Sequence, residues 1–571
     1  MKIIKNIFII MAMIALPLGC SKETVNGTPN PPVSDSEIPF TGPDPNEGLD
    51  VRKRAADAVS YAITYGALSE ADIKVLKTYP LVIIHPYNGN ITRSQIMRIK
   101  EGVIPSDHTD NPVVLCYISV GEDSRSFELT ASDMLKETRF KGDGSGPSVD
   151  PRAPGVKSLV GVNPRGTATN GGFASYYVND NAVICNGAAD KIPDENFYFK
   201  TRFVNAGDPL WYTTVKDMVM DVNTHTPPGL KELLTGSYGK GLGCDGVFLD
   251  TVDTAAPNQY TSCSDANHTK SEWTAKGFSD FMRNIRADFP AKVILQNRGL
   301  FFFDPRHPHY EVSARGVIDI GFFESYYLDN DSATTVSPYF VDNKYNSAYK
   351  IMAEANRPDG FKMLSLGYAD GFDGPKPGIN IQTLTGTSNA GYDILMNDVT
   401  EALAVGFRPY LTSALVNLVN PFVKNNAVMT DLTPPVWQSV YNENHQYPAG
   451  PPVRRVGIQK LVPGAGGTVT VLWDVAVDMN KVSYVLYYSK NPFDFNNMSV
   501  ATSVVLIPSV GDGYSTVWNA ANPEEALASL FPYQATISGL QQGTTYYFVI
   551  RAVDSVGNED ANQVVISANI P

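Results

Sequence analysis

Cysteine and histidine are scarce: five Cys and seven His in 571 residues. No two cysteines stand in C-x-x-C spacing and no H-E-x-x-H occurs, so zinc or dithiol chemistry has no sequence support. The histidines at 85, 108, 225, 268, 307, 309 and 445 are scattered, and His307-Pro308-His309 reads as a surface turn. No G-x-S-x-G elbow is present, which removes the usual mark of a serine hydrolase. No Gly-rich phosphate loop links a strand to a following helix, which speaks against a dinucleotide-binding doubly wound sheet. Neither cofactor nor metal is expected from these gaps. Basic residues are also outnumbered, 45 Lys and Arg against 59 Asp and Glu, for a formal net charge of -14. Such a field repels nucleic acid and anionic lipid headgroups and attracts a cationic substrate.

With 43% apolar, 11% aromatic and 18% charged residues the composition is globular, and 46 Gly and 40 Pro imply many turns and loops. The length exceeds what one core supports, so two or three domains are expected. Residues 1–20 carry two lysines, an apolar stretch too short to span a bilayer, and the ending Leu18-Gly19-Cys20. This reads as an export signal whose last residues resemble a bacterial lipobox. Acylation of Cys20 would hold the chain on the outer membrane of the cell envelope, facing periplasm or cell surface. Residues 21–55, rich in Pro, Ser, Asn and Gly, read as a flexible tether. Cys116 lies in the apolar run V-V-L-C-Y-I and reads as a packed core thiol. Cys185 and Cys263 sit in loop-like sequence and could pair in an oxidising compartment, a question that spacing leaves open.

From residue 56 to 430, short apolar runs alternate with amphipathic stretches, the pattern of an α/β domain with a parallel sheet. Eight candidate strands stand out, at 62–67, 81–85, 113–119, 200–205, 246–250, 293–297, 318–324 and 362–368, with helical stretches at 69–79, 94–101, 272–288 and 392–405. Eight strands with crossovers is the count of a (β/α)8 TIM barrel. A further run at 407–412 finds no place in that count. The connection 121–199 is too long for a plain loop and reads as a lid over the C-terminal ends of the strands. At 243–253, G-C-D-G-V-F-L-D-T-V-D contains a buried strand, Val247-Phe248-Leu249, that delivers Asp250 to that end, with Asp253 three residues on. The other strand ends bring Tyr87, Glu122, Asp123, Asp208, Gln296, Asn297, Glu324, Tyr326 and Tyr327. Carboxylates, amides and aromatics crowded on one face suit a carbohydrate, whose hydroxyls need polar partners and whose C–H faces stack on rings.

The segments Y-I-S-V-G-E (117–122), F-V-N-A-G-D-P-L-W (203–211), G-C-D-G-V-F-L-D-T-V-D (243–253), I-L-Q-N (294–297) and F-F-E-S-Y-Y (322–327) together resemble the endo-α-1,4-polygalactosaminidase family of glycoside hydrolases, over roughly residues 56–415. The related hydrolase domain of exopolysaccharide-biosynthesis proteins is also similar. The resemblance implies a (β/α)8 barrel that cleaves α-1,4-linked galactosamine or N-acetylgalactosamine polymers with an Asp and a Glu, by motif Asp250 and Glu324. The family commonly has Asn where this chain has Thr251, and the insert after Glu122 is a larger departure that bears on cleft shape. Glycosidic cleavage needs one protonated acid and one carboxylate. Asp250 is assigned as nucleophile and Glu324 as general acid/base of a retaining mechanism, with Phe322, Phe323 and Tyr326 raising the Glu324 pKa. Gln296 and Asn297 are candidates to hydrogen-bond a sugar hydroxyl, and Tyr87, Tyr326 and Tyr327 to stack on sugar rings. Glu122, Asp123, Asp208 and Asp253 would make the cleft negative.

Residues 431–571 change character. T-V-T-V-L-W-D (468–474), V-S-Y-V-L-Y-Y-S (482–489), A-T-I-S-G-L (535–540) and T-Y-Y-F-V-I-R-A-V-D (545–554) alternate like half-buried strands of an all-β sandwich. The module resembles a fibronectin type III domain, which implies Trp473 as core indole and Tyr546 as corner tyrosine. The function expected is an exported, lipid-anchored, endo-acting glycoside hydrolase. A differently specific α-glycosidase is the alternative on the same fold, and a catalytically silent surface glycan-binding lipoprotein the alternative from another class.

Overall fold

Eight short runs form one parallel sheet in the computed structural model, which describes residues 40, 42–142, 171–178, 192–196, 199–255, 274–303, 310, 312–437, 456–510 and 533–571. Cys20, Cys185 and Cys263 lie outside the described residues. The strands are β1 (Tyr61–Thr64), β2 (Leu81–Ile84), β3 (Val113–Ser119), β4 (Gly246–Asp250), β5 (Val293–Asn297), β6 (Ile320–Glu324), β7 (Lys362–Tyr368) and β8 (Arg408–Thr412). They pair in chain order from β1 to β8, every pair parallel. Most are buried on both faces, which is why each reads as a continuous apolar run rather than an alternation. Gly246 opens β4 because a Cβ there would lie 2.3 Å from the Val293 carbonyl oxygen of β5.

The first and last strands approach one another. The Tyr61 and Tyr410 rings lie 5.6 Å apart, and the Tyr65 amide donates to the Val416 carbonyl at 2.6 Å, so the sheet curls into a nearly closed barrel. Its interior is filled rather than hollow: Phe322 stands edge-on to both Tyr61 and Phe248, at 5.9 and 5.1 Å. Helices Glu70–Leu76 and Arg93–Lys100 follow β1 and β2, and each begins in a capping box, at Ser69 and Thr92, that satisfies first-turn amides.

The strand count differs from the sequence expectation. Residues 200–205 are not a barrel strand: only Arg202–Phe203 is extended, and it pairs antiparallel with Glu122–Asp123 in a separate ribbon. The run K-T-R-F-V-N has too few apolar residues for a strand buried on both faces. The eighth barrel strand is β8, whose start in Arg408-Pro409 disguises it, since proline is not expected in a paired strand. Asp250 therefore closes β4 and Glu324 closes β6. The described parts of the 121–199 connection are a packed layer, with Phe140, Phe173, Tyr176 and Tyr177 buried. Tyr176 packs against Trp211 at 4.9 Å.

Two further expectations are corrected. Cys116 on β3 is bonded to Cys244, just before β4, with Cα atoms 6.1 Å apart and 128 residues between them in sequence. Adjacent parallel strands bring them together, a proximity that spacing cannot reveal. The tether expected over 21–55 gives way by residue 42 to chain packed on the barrel. Asn46 donates to the Pro112 carbonyl and to Asp245, both at 2.8 Å, Arg52 pairs with Asp319 at 2.8 Å, and Val51–Asp57 is helical.

The C-terminal sandwich has strands β9 (Ile458–Gly464), β10 (Thr468–Trp473), β11 (Val482–Ser489), β12 (Thr502–Leu506), β13 (Tyr533–Ile537), β14 (Thr544–Asp554) and β15 (Ile566–Ile570). One antiparallel sheet runs β9-β10-β13, extended by Ser509–Val510, and the other runs β12-β11-β14-β15. Trp473 is fully buried between them, against Tyr484 and Tyr533 at 5.6 and 5.7 Å. The Tyr546 hydroxyl accepts from the Gln541 amide at 3.2 Å, the bond of a corner tyrosine. The sandwich is docked, not merely tethered. The helix Ala348–Ala355 receives it through Tyr349 donating to Asp474 at 2.5 Å and Tyr533 donating to the Ala353 carbonyl at 2.7 Å. The Arg357 guanidinium lies 5.4 Å from the Tyr533 ring centre.

Because the Cys116–Cys244 bond closes a long loop between buried strands, removing it with Cys116→Ala and Cys244→Ala is expected to lower stability by about 2–5 kcal/mol. Urea unfolding of the oxidised and doubly substituted chains measures this; equal midpoints would contradict it.

Candidate active site

The C-terminal ends of β3 to β7 each present one side chain to a common point. Together they form a continuous hydrogen-bonded arc across five neighbouring strands. Tyr117 on β3 donates its hydroxyl to Asp250 Oδ2 at 2.6 Å. The Asn297 amide on β5 donates to Asp250 Oδ1 at 2.8 Å and to Glu324 Oε2 at 2.9 Å. Tyr368 on β7 donates to Glu324 Oε1. Every oxygen of the two carboxylates thus has a donor. The amide orientation of Asn297 follows from this, because the flipped form would set its oxygen against two carboxylates.

Pleating decides who reaches the arc. Side chains two apart share a face, so Asp250 stands above Phe248 and Glu324 above Phe322, on the barrel's aromatic interior. The backbone turns sharply after each of the three central groups. Thr251, Arg298 and Ser325 all take positive φ, at 63°, 53° and 61°. Such values are uncommon for residues other than glycine, and most unusual for β-branched threonine. Thr251 is held there by its neighbours: its hydroxyl accepts from the Gly121 amide at 2.7 Å and lies 3.0 Å from the Ser119 hydroxyl, tying β3 to β4.

Electrostatics separates the two acids. Burial raises the Glu324 pKa, and the Asp250 charge raises it further, against the lowering effect of the Tyr368 and Asn297 donors and of Arg298. The site therefore favours a proton on Glu324 more than water does. Burial together with the carboxylates keeps the Tyr117 and Tyr368 phenols protonated, so both remain donors. His85, stacked on Tyr117 at 4.1 Å, is pushed down to about 3 by burial and is neutral.

The remaining sequence candidates divide. Gln296 faces away from Asn297 and donates to the Arg298 carbonyl at 2.8 Å, bracing the turn after β5 rather than meeting a ligand. Asp123 is buried in a two-point pair with Arg125, at 2.8 Å on both oxygens, and accepts from Tyr177 at 2.6 Å. Asp208 caps the helix Pro209–Asp217 through the Leu210 amide at 2.8 Å. Tyr326 is buried among Phe323, Phe340 and Phe407, and Tyr327 packs edge-on to Phe340, so neither is a stacking platform. The Tyr87 phenol is raised by burial and by Asp221, with Arg139 its other charged neighbour, and does not join the carboxylate pair.

Glu122 is also buried, accepting from Asn196 at 2.9 Å and from Thr201, and burial takes it up to about 7. It anchors the 121–199 connection rather than lining an open cleft. Asp253 stays at the rim, 3.3 Å from Arg298, whose guanidinium also donates to the Glu324 carbonyl at 2.9 Å. All four acids expected to make the cleft negative are thus engaged by protein groups, Asp253 the least closely. Tyr117, Tyr368 and Arg298 were not singled out from sequence as site residues. The first two stand in or beside the quoted strand ends, but nothing local shows that a tyrosine there meets a carboxylate.

Among the described residues one acidic trio could gather a cation: Asp431, Asp478 and Asp554 each bring an oxygen within 4.8 Å of the others. Asp478 and Asn480 line a cavity of about 160 Å³ with Lys362 and Met363, at the opposite, N-terminal end of the barrel strands. The trio therefore has no part in the arc.

No family model matches the chain. The curated serine-aspartate repeat-containing protein E of Staphylococcus aureus, strain USA300, is 26% identical over 194 residues, 33% of this chain and 16% of that protein. The protein of the same name from strain Mu50 is 25% identical over the same shares. The chain thus spans about one sixth of the length of these curated relatives. Among solved structures, the glycoside hydrolase domain of PelA from Pseudomonas aeruginosa is similar at 14% identity and a TM-score of 0.36, over 63% of this chain and 97% of that one. An Fn3-like protein from Clostridium thermocellum is similar at 20% identity and a TM-score of 0.14, over 21% of this chain and 96% of that one.

Proposed function

We propose that this chain is a retaining glycoside hydrolase that cleaves α-1,4-linked galactosamine or N-acetylgalactosamine polysaccharide at internal bonds. The observation that carries the reading is the single Asn297 amide shared by Asp250 and Glu324. Two oxygens bonded to one nitrogen can be no farther apart than the two bonds laid end to end, 2.8 and 2.9 Å. That limit falls short of the roughly 6.5–9.5 Å that an inverting pair needs to admit a water, and fits the roughly 5–5.5 Å of a retaining pair.

The chemistry follows from the electrostatics. Asp250, charged and held by two donors, attacks the anomeric carbon while Glu324 passes its proton to the departing glycosidic oxygen. The same Glu324, now ionised, takes a proton from the water that hydrolyses the glycosyl ester. Asn297 keeps both acids in register through both steps, and Tyr117 and Tyr368 fix their outer oxygens. The polymer class rests on the motif resemblance of residues 117–122, 203–211, 243–253, 294–297 and 322–327. Export and acylation at Cys20 complete the proposal, placing the enzyme on the cell envelope with polysaccharide as its partner. The buried Cys116–Cys244 bond supports a compartment where disulfides persist.

Incubating the chain from Cys20 onward with galactosamine and N-acetylgalactosamine oligomers is expected to release shorter oligomers whose new reducing ends keep the α configuration, read by proton NMR. Inverted products, or no cleavage, would overturn the reading. Glu324→Gln is expected to lower kcat on an unactivated oligomer by about 10²–10⁴, and Asp250→Asn to abolish turnover while substrate is still bound. Activity should fall as pH rises through the Glu324 pKa, which lies above the ordinary glutamate value. Tyr368→Phe removes a donor that favours the charged form, so the basic limb of kcat/KM is expected to move to higher pH; a limb that stays or moves down would contradict the assignment.

A further inference from the structure

Tyr65 follows directly on β1 and has no counterpart among the residues assigned so far. Its amide donates to the Val416 carbonyl at 2.6 Å, which fixes its backbone across the seam of the barrel. Its ring is wedged edge-on against His85 at 5.3 Å and against Tyr117 at 5.1 Å. Tyr117 bonds Asp250 directly, so Tyr65 stands one ring away from the nucleophile, and the charges of both Asp250 and Glu324 reach its phenol.

The contrast with the other two site phenols is informative. Tyr117 and Tyr368 spend their hydroxyls on the two carboxylates, whereas among the described residues none hydrogen-bonds the Tyr65 hydroxyl. Tyr65 is half-buried, and its hydroxyl is not among the fully buried polar atoms that lack a partner, so it keeps some exposure to solvent. A half-buried donor on a rigid ring beside two carboxylates can exchange solvent for an acceptor that a ligand brings. Burial, and then the charges of Asp250 and Glu324, hold the phenol protonated, so it keeps a proton to donate in the working range. The neighbouring His85 imidazole is neutral and adds no charge.

We infer that the Tyr65 hydroxyl is a substrate-contacting group, donating a hydrogen bond to an oxygen substituent of the sugar held between Asp250 and Glu324. The inference rests on the glycoside hydrolase reading and deepens it. A donor that gains its acceptor in the complex adds to transition-state binding if the bond tightens as the sugar ring flattens. Replacing the hydroxyl by hydrogen removes that bond and no bond within the protein.

The test is Tyr65→Phe in the chain from Cys20 onward, assayed on the longest galactosamine or N-acetylgalactosamine oligomer that the unsubstituted chain cleaves. A loss of about tenfold in kcat/KM is expected. The unfolding midpoint and both limbs of the pH profile should stay where they are, unlike Tyr368→Phe, whose basic limb moves. An unchanged kcat/KM beside an active unsubstituted chain overturns the role of Tyr65 and leaves the hydrolase reading standing. A lowered unfolding midpoint would show a structural hydroxyl and would overturn it as well. If the unsubstituted chain cleaves none of the oligomers, the hydrolase reading fails and the inference fails with it.

Discussion

One side-chain amide holds the site together. Two carboxylates this close repel when both are ionised, and burial above an aromatic barrel interior makes that repulsion costly. Asn297 offsets it by donating to both at once, from a strand lying between theirs. The arrangement needs three adjacent strand ends in fixed register. β4, β5 and β6 supply it because each is pinned by parallel pairing on both sides. Burial and the neighbouring Asp250 charge raise the Glu324 pKa, and the Asn297 and Tyr368 donors work against that rise.

The scaffold carries features that make sense only around this arc. Thr251, Arg298 and Ser325 accept an unfavourable backbone conformation immediately after Asp250, Asn297 and Glu324. Each such turn costs of order 1–3 kcal/mol and persists only where the surroundings overdetermine it. Here the surroundings are the Thr251 hydroxyl network, the Arg298 contacts with Asp253 and the Glu324 carbonyl, and the Ser325 amide bonded to the Leu366 carbonyl at 2.9 Å. The chain leaves each strand abruptly, so the three polar groups remain at the mouth instead of being carried into loops.

Away from the mouth, the barrel is closed off by the sandwich. Tyr349, Asn356 and Arg357 of one module meet Asp474, Ala476 and Tyr533 of the other, through bonds whose donors and acceptors are largely buried. The segment 348–357 that carries these contacts, the helix Ala348–Ala355 and the two residues after it, lies between β6 and β7, the strands that position Glu324 and Tyr368. The sandwich therefore braces the wall of the barrel on which Glu324 sits.

How much of this could be read from the chain depends on distance along it. Seven of the eight barrel strands were legible, because a fully buried strand writes itself as a local apolar run; the eighth was obscured by Arg408 and Pro409. Asp250 and Glu324 were legible for the same reason, as the polar residue that ends such a run, and the corner role of Tyr546 came from the resemblance to a fibronectin type III domain. Asp123, Asp208, Gln296, Tyr326 and Tyr327 looked the same as site residues locally, and only their partners show that they cap, brace or pack.

The amino-acid order by itself determined where seven of the eight barrel strands lie and that Asp250 and Glu324 close two of them, since those are matters of a few consecutive residues. Tertiary structure alone decided that Cys116 meets Cys244, that Asn297 stands between two carboxylates, and that Tyr117 and Tyr368 hold their outer oxygens. Each of these is a contact between neighbouring strands separated by tens of residues or more, and strand adjacency is set by the closure of the whole sheet, not by any local pattern.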